Sequence, residues 1–288
     1  MSTETHQPPK HISGLSEVAG LYDGLILDLW GVVHDGVAPF PDTLPTLAAL
    51  QKTKKKVWLL SNAPRRAAIV AARLEEMGIM PDMYGGLLTS GEASWQALRD
   101  GLLEQWGNRC LHIGALLRDS SLYEGLDVEI VSDPARADFI LNSGVEDFSD
   151  TADKYIPLLK NCFLHNLPML CANPDKIVHV KEQLVVCAGT LAEAYAALGG
   201  EVVYFGKPYR NVYSRCLRDM ETANVLAVGD AMQTDIAGAT GAGLDSVLVT
   251  SGIHRDAFSP AQTEATQHKD FFAGYLFRPQ YTIDKLFW

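Results

Sequence analysis

Residues 225–252 read VLAVGDAMQTDIAGATGAGLDSVLVTSG. An apolar run, VLAV, ends at Gly229 and Asp230; a helix-like segment follows, and a second apolar run, VLVT, closes on Ser251 and Gly252. Apolar run, polar pair, helix and apolar run is a βαβ pattern, since parallel strands need a crossover of this kind. The same order recurs upstream: LILDL at 25–29 ends around Asp28, VWLL at 57–60 ends at Ser61, and VVYF at 202–205 leads to Lys207. Repeated βα units predict an α/β fold with a Rossmann-like, doubly wound parallel sheet as its core. Ligands of such sheets lie beyond the carboxyl ends of the strands, so the polar residues after these runs are expected to converge.

Between Ser61 and Lys207 the chain carries further strand-like runs: LHI at 111–113, VEIV at 128–131, FIL at 139–141 and MLC at 169–171. This stretch is long enough to be a domain. The expected organisation is a core over residues 1–101 and 202–288 with an inserted α/β cap over 102–201. Gly238, Gly241 and Gly243 resemble a dinucleotide fingerprint only superficially. Their spacing is GxxGxG, they follow a helix-like DIAGA segment, and no acidic residue is placed as a ribose ligand.

The chain has 288 residues, 47% hydrophobic and 20% charged, with a formal net charge of -11. That balance excludes a broad basic surface for nucleic acid, so an anionic substrate must be held by local charge. The basic run Lys52, Lys54, Lys55 and Lys56 precedes an apolar strand and reads as a solvated helix end. Cys110, Cys162, Cys171, Cys187 and Cys216 form no CxxC pair and sit in apolar surroundings, which reads as buried thiols in a reducing compartment. The first residues, MSTETHQPPKHISG, lack the pattern of a secretory leader, and no run approaches the ~20 apolar residues of a membrane span. The expectation is a cytoplasmic protein that meets neither membrane nor nucleic acid.

A carboxylate after a strand is ordinarily a helix cap, a Ser-Asn pair likewise, and Gly-Lys-Pro a turn. The ordered set is what carries meaning. Asp28 can attack phosphorus as a nucleophile, but two negative groups must first be brought together, which calls for a divalent cation and a lysine. Asp28 and Asp230 supply the carboxylates that Mg²⁺ takes; Lys207 supplies a compact positive charge; Ser61 and Asn62 supply donors for phosphoryl oxygens.

DLWGVVHDG, LLSNAPR, FGKP and GDAMQTDIAGATGAG resemble, in order, the four motifs of the haloacid dehalogenase superfamily. The large segment between the second and third, with its CANPD, is similar to class IIA, the NagD-like group of sugar-phosphate, nucleotide and pyridoxal-phosphate phosphatases. The resemblance implies a phosphoric monoester phosphatase with Asp28 as nucleophile, Ser61 as phosphate donor and Lys207 as charge clamp. Asp230 would be a metal ligand, Asp235 its support in the metal site, and the Trp30 carbonyl a further ligand. It puts Asn173 and Asp175 in a loop facing a small-molecule phosphate ester, with His179 a weaker candidate, and it admits a homodimer through the cap.

One position departs from the family. Most phosphatases of this superfamily carry a second aspartate two residues after the nucleophile, acting as general acid and base, and here Trp30 stands there. A positioned acid is worth ~10²–10⁴-fold, so the chain is expected to be slow or to favour good leaving groups. His34 and Asp35 lie close enough in sequence to substitute. Two other readings stay open: a carbon-halogen hydrolase, whose relatives also place an aromatic there, and a phosphometabolite-binding protein that has lost turnover. The acidic GDxxxTD motif speaks against the first, because halide displacement offers no phosphate charge for a metal to neutralise.

Overall fold

The computed structural model describes residues 8–180, 183–258 and 271–288, with the side chains of residues 179 and 180 left aside. Residues 1–7 of the stretch read for a leader lie outside the described residues. Strands β1 (Lys10–His11), β2 (Gly24–Leu27), β3 (Lys56–Ser61) and β4 (Gly86–Thr89) precede β5 (Arg109–Ile113), β6 (Glu129–Val131), β7 (Phe139–Asn142) and β8 (Met169–Cys171). After them come β9 (Ile177–Val180), β10 (Gln183–Val186), β11 (Val202–Tyr204), β12 (Val225–Gly229), β13 (Asp245–Val249) and β14 (Tyr281–Ile283). Every run read as a strand from sequence forms one.

The larger sheet has the order β1-β14-β13-β12-β2-β3-β4, parallel from β1 through β3. After the edge strand β1, the chain enters the middle of the sheet at β2, moves outward through β3, and later returns to β12 on the other side of β2 before moving outward again. This is double winding, and its switch point lies between β2 and β12, the place where sheets of this kind bind their ligands. Leu27 pairs with Val228 in register, and the Asp28 N–H continues the ladder to the Val228 carbonyl at 2.9 Å. Asp28 therefore lies level with Gly229, one residue before Asp230, so the two carboxylates leave neighbouring strands side by side.

A five-stranded parallel sheet has the order β11-β8-β7-β5-β6. Its inner strands β5, β7 and β8 are the buried ones, and their apolar residues alternate between two cores. Leu111, Ile113, Ile140, Met169 and Cys171 join one cluster, while Cys110, Phe139, Leu141, Leu170 and Ala172 join the other. That period of two explains why these strands read as continuous apolar runs. The run at 202–205, read from sequence as a core strand, forms the edge of this smaller sheet. It pairs with β8 from Val202↔Met169 to Tyr204↔Cys171.

The chain divides into two compact units, residues 1–60, 74–86 and 213–288 in one and residues 61–73 and 87–212 in the other. The helices that matter below are α1 (Thr43–Lys52), α2 (Ala67–Glu76) and α3 (Ser90–Ala97). Gly238 and Gly241 lie in a short helix over Ala237–Ala242, and Gly243 ends it in the left-handed region at φ 74°, so this glycine set is helical and C-capping. Lys52 and Lys54 are exposed at the end of α1, but Lys55 and Lys56 donate to the carbonyls of Tyr22 and Met220 at 2.5 and 2.6 Å. All five cysteines are buried free thiols, and burial pushes the thiols of Cys110, Cys171 and Cys187 up to about 12. Among the described residues no helix is long and apolar enough to cross a membrane.

Candidate active site

In the first unit, Asp28, Asp230 and Asp235 each bring a carboxylate oxygen within 4.8 Å of the others, and all three residues are buried, at 8%, 6% and 4% exposure. Asp28 and Asp230 follow adjacent strands; Asp235 comes from the short helical segment Met232–Ile236 after β12. The Asp235 Oδ2 accepts the Ala231 N–H at 3.1 Å, which fixes its direction. Asp230 Oδ2 accepts the Ile253 N–H at 2.8 Å. Two glycines wall that carboxylate: a Cβ on Gly31 would come within 2.1 Å of Asp230 Oδ2, and one on Gly252 within 2.2 Å. Gly31, at φ 84°, also needs a backbone conformation that other residues rarely adopt.

Three carboxylates this close repel one another by about 3–4 kcal/mol per pair at an effective dielectric of about 20. The donor set consists of hard oxygens from buried carboxylates, which suits a hard divalent cation and not a thiophilic one. Gly252 and Ile253 were not singled out as site residues from sequence. The available signal was that the VLVT run closes on Ser251 and Gly252, a strand end like the others.

Trp30 is 39% exposed, and its indole lies against Gly36 and meets the His34 ring edge-on at 5.9 Å. The two nearby candidates for a proton donor differ. Asp35 Oδ1 accepts the N–H groups of Val37 and Ala38, both at 2.8 Å, and these bonds hold its carboxyl below the usual range. It is an ionised turn cap and a poor acid. His34 is buried at 8% exposure, and its Nδ1 accepts the Gly36 N–H at 2.9 Å, so the neutral ring carries its proton on Nε2.

In the second unit four of the remaining candidates, Asn62, Asn173, Asp175 and Lys207, are joined by hydrogen bonds. Ser61 ends β3, and its Oγ accepts the Ala63 N–H at 3.2 Å. Asn62 donates to Asp175 Oδ1 at 2.8 Å and to the Lys207 carbonyl at 3.0 Å; its Oδ1 accepts from the Lys207 N–H at 2.7 Å and from Ser90 Oγ at 3.2 Å. With both amide hydrogens engaged, Asn62 straps Lys207 to the Asp175 loop instead of offering a free donor. Asn173 Oδ1 accepts the Asp175 N–H at 3.0 Å, an Asx turn that shapes the same loop. Lys207 is buried at 3% exposure. His179 lies in the β9–β10 hairpin opposite Leu184.

Ser90 and Thr89 were missed in the sequence. They belong to TSGE at 89–92, a capping-box pattern: Thr89 accepts the Glu92 N–H at 2.9 Å. Burial raises the Glu92 carboxyl, but the Arg66 guanidinium and the Ala67 N–H outweigh it and leave the group below its ordinary value.

A haloacid dehalogenase-like hydrolase model matches residues 25–125, and an HAD-hydrolase-like model matches residues 204–285. A solved hydrolase of the haloacid dehalogenase-like family from Brucella suis 1330 is 31% identical with a TM-score of 0.80, covering 96% of this chain and 99% of that one. NagD from E. coli K-12 shares the fold at 23% identity and a TM-score of 0.63, over 92% of this chain and 96% of its own. The D-glycerol 3-phosphate phosphatase of Mycobacterium tuberculosis (strain ATCC 25618 / H37Rv) is 27% identical over 83% of this chain, which spans 66% of that protein's length. The chain belongs to the haloacid dehalogenase-like hydrolases and has the fold of their NagD-like, class IIA members.

Proposed function

We propose that the chain is a magnesium-dependent phosphatase that hydrolyses a small phosphorylated metabolite through an aspartyl phosphate on Asp28. The observation that carries the reading is the cluster of three buried carboxylates at the switch point of the sheet. The phosphatase named among its relatives supports the same class of reaction. A carbon-halogen hydrolase has no use for such a cluster, because a departing halide leaves no phosphate charge to neutralise.

In this reading an Asp28 oxygen forms a bond to phosphorus as the ester P–O bond breaks, and the alkoxide leaves with the electron pair and takes a proton from water. Water then cleaves the acyl phosphate, releasing phosphate and restoring Asp28. Asp28, Asp230 and Asp235, with the Trp30 carbonyl, would hold Mg²⁺, which when bound offsets the charge of phosphate and nucleophile. Ser61 donates to a phosphoryl oxygen, and Lys207 supplies a positive charge that Asn62 keeps in position through its backbone. Asn173 and Asp175, with His179 further along, select the leaving group, within a cap over 102–201. Since Trp30 brings no carboxylate, departure of an alkoxide is the slow step. A cytoplasmic setting fits five buried free thiols.

Release of inorganic phosphate from a panel of phosphorylated metabolites with Mg²⁺, by the wild type and by Asp28→Asn, tests the reading. Turnover that survives Asp28→Asn removes the aspartyl phosphate from the account.

A further inference from the structure

Arg65 and Arg66 are consecutive, carry the same charge and meet opposite fates. Arg66 is spent on the fold: its Nε lies 2.7 Å from Glu92, and its guanidinium stacks 3.6 Å over the Trp95 ring. The guanidinium of Arg65 makes no hydrogen bond, ion pair or ring contact among the described residues, although the residue is half-buried. Arg99, Arg109, Arg118 and Arg215 differ from it, since each holds a carboxylate within 3.0 Å.

The root of the Arg65 side chain is fixed. Its N–H donates to the Ala63 carbonyl at 2.9 Å, its carbonyl accepts from Thr89 Oγ1, and the Gly91 N–H holds the Ala63 carbonyl at 3.1 Å. A Cβ on Gly91 would fall 2.2 Å from the Arg65 nitrogen, so the β4–α3 junction presses directly on this backbone. The same short loop carries Ser61 and Asn62. It is a pinned loop that displays five unpaired donors four residues after the proposed phosphate donor, in a chain of net charge -11 whose general field repels anions.

We propose that Arg65 binds a second oxyanion on the substrate, so that the preferred esters carry a carboxylate or another phosphate besides the group transferred. This rests on the phosphatase reading for the identity of the ligand. A guanidinium matches both oxyanions by paired N–H···O bonds, a geometry lysine lacks. Arg65 is thus a specificity residue, distinct from Ser61 and Lys207, which serve the transferred phosphoryl group.

The test is equilibrium binding to the full chain with Mg²⁺, which needs no turnover. Propylphosphonate, 3-phosphonopropionate and propane-1,3-bisphosphonate are compared on wild type, Arg65→Met and Arg65→Lys, with melting temperature as the control for folding. The wild type should bind one or both doubly anionic probes about tenfold or more tighter than propylphosphonate, on the scale of a charge-assisted pair. Arg65→Met should erase that margin and Arg65→Lys keep part of it; whichever probe gains identifies the second group. Equal binding of all three probes by wild type, no binding of any, or an equal loss on all three in Arg65→Met overturns the proposal. A preserved margin with no phosphate released from any ester would uphold Arg65 and remove the phosphatase reading instead.

Discussion

The two polar clusters of this protein are built on opposite plans. Around Asp230, three carboxylates of one sign are buried together behind glycines. Around Asn62, donors and acceptors match, and the amide has every hydrogen committed. Like charges in a buried cluster cost stability unless a cation balances them, whereas a matched network holds its members still. The first cluster could hold a metal ion, as the proposed function requires; the second positions what surrounds it.

The largest expected effect breaks the first cluster. Asp28→Asn should lower phosphate release by about 10⁴-fold or more, the scale of losing a nucleophile. Melting temperature in chelator should hold or rise, because one of three repelling charges has gone. Unchanged turnover, or a protein that no longer folds, would contradict this account of the cluster.

Next in size is the position where the family's acid is missing. Wild-type rate should depend steeply on leaving-group pKa, an aryl phosphate outpacing an alkyl one, and Trp30→Asp should narrow the gap by up to ~10²–10⁴-fold. The indole rests on Gly36 and His34, so its loss leaves space in a loop and not in a core. A flat dependence in the wild type would mean that a proton donor is already in place, and His34, with its proton on Nε2, would be the residue to mutate.

Metal linkage comes third. Mg²⁺ at 100 times its dissociation constant should stabilise the fold by about 2.7 kcal/mol. Gly252→Ala, whose Cβ would meet Asp230 Oδ2, should weaken Mg²⁺ binding about 10–100-fold, as displaced supporting contacts do. Titration calorimetry on both proteins would show it, and identical affinities would mean that the glycine wall is incidental.

The sequence was informative about elements and poor about partners. LILDL, VWLL and VLAV announce strands because their period and boundaries are local, and Asp28 and Asp230 follow from them directly. That VVYF at 202–205 joins the smaller sheet is a matter of pairing with β8, and an apolar run looks the same wherever it pairs. Asn62 read as a donor for phosphate because nothing in SNAPR shows that Asp175 and Lys207, more than a hundred residues away, take both its hydrogens. Arg65 and Arg66 are indistinguishable in sequence; only the position of Glu92 on α3 separates them.

Breaking the second cluster should be felt in stability before chemistry. Asn62→Ala leaves the buried Lys207 N–H without its acceptor, at a cost of about 1–3 kcal/mol. Freed from its strap, the loop with Asn173 and Asp175 should discriminate less among phosphate esters, while the loss on a small aryl phosphate is smaller. Urea unfolding and a substrate panel measure the two effects. An Asn62→Ala protein of wild-type stability would mean that the network is not the restraint it resembles.

The smallest effect tests whether matched networks in this unit stay neutral. His112, at the end of β5, has its Nε2 2.8 Å from Ser143 Oγ; Ser143 donates to Asp119 Oδ2 at 2.8 Å, and Arg118 pairs with Asp119 at 2.9 Å. Since the serine proton goes to Asp119, the imidazole donates from Nε2, and its Nδ1 is buried without a partner. Burial is the main reason the ring titrates low, at about 4; Asp119 pulls the other way, and Arg118 adds to the depression. The sign follows from linkage. Between an unfolded value of about 6.5 and the folded value, the unfolded chain binds the proton and the folded chain does not, so stability falls as pH falls through that window. From pH ~7.5 to ~5.5 the loss from this group should be about 1 kcal/mol. His112→Gln, which cannot take up the proton, should be less sensitive to pH by that amount, whatever its stability at neutral pH. Unfolding free energies at the two pH values, for both proteins, decide the matter. Parallel pH dependences would mean that the imidazole charges within the fold and that this network yields.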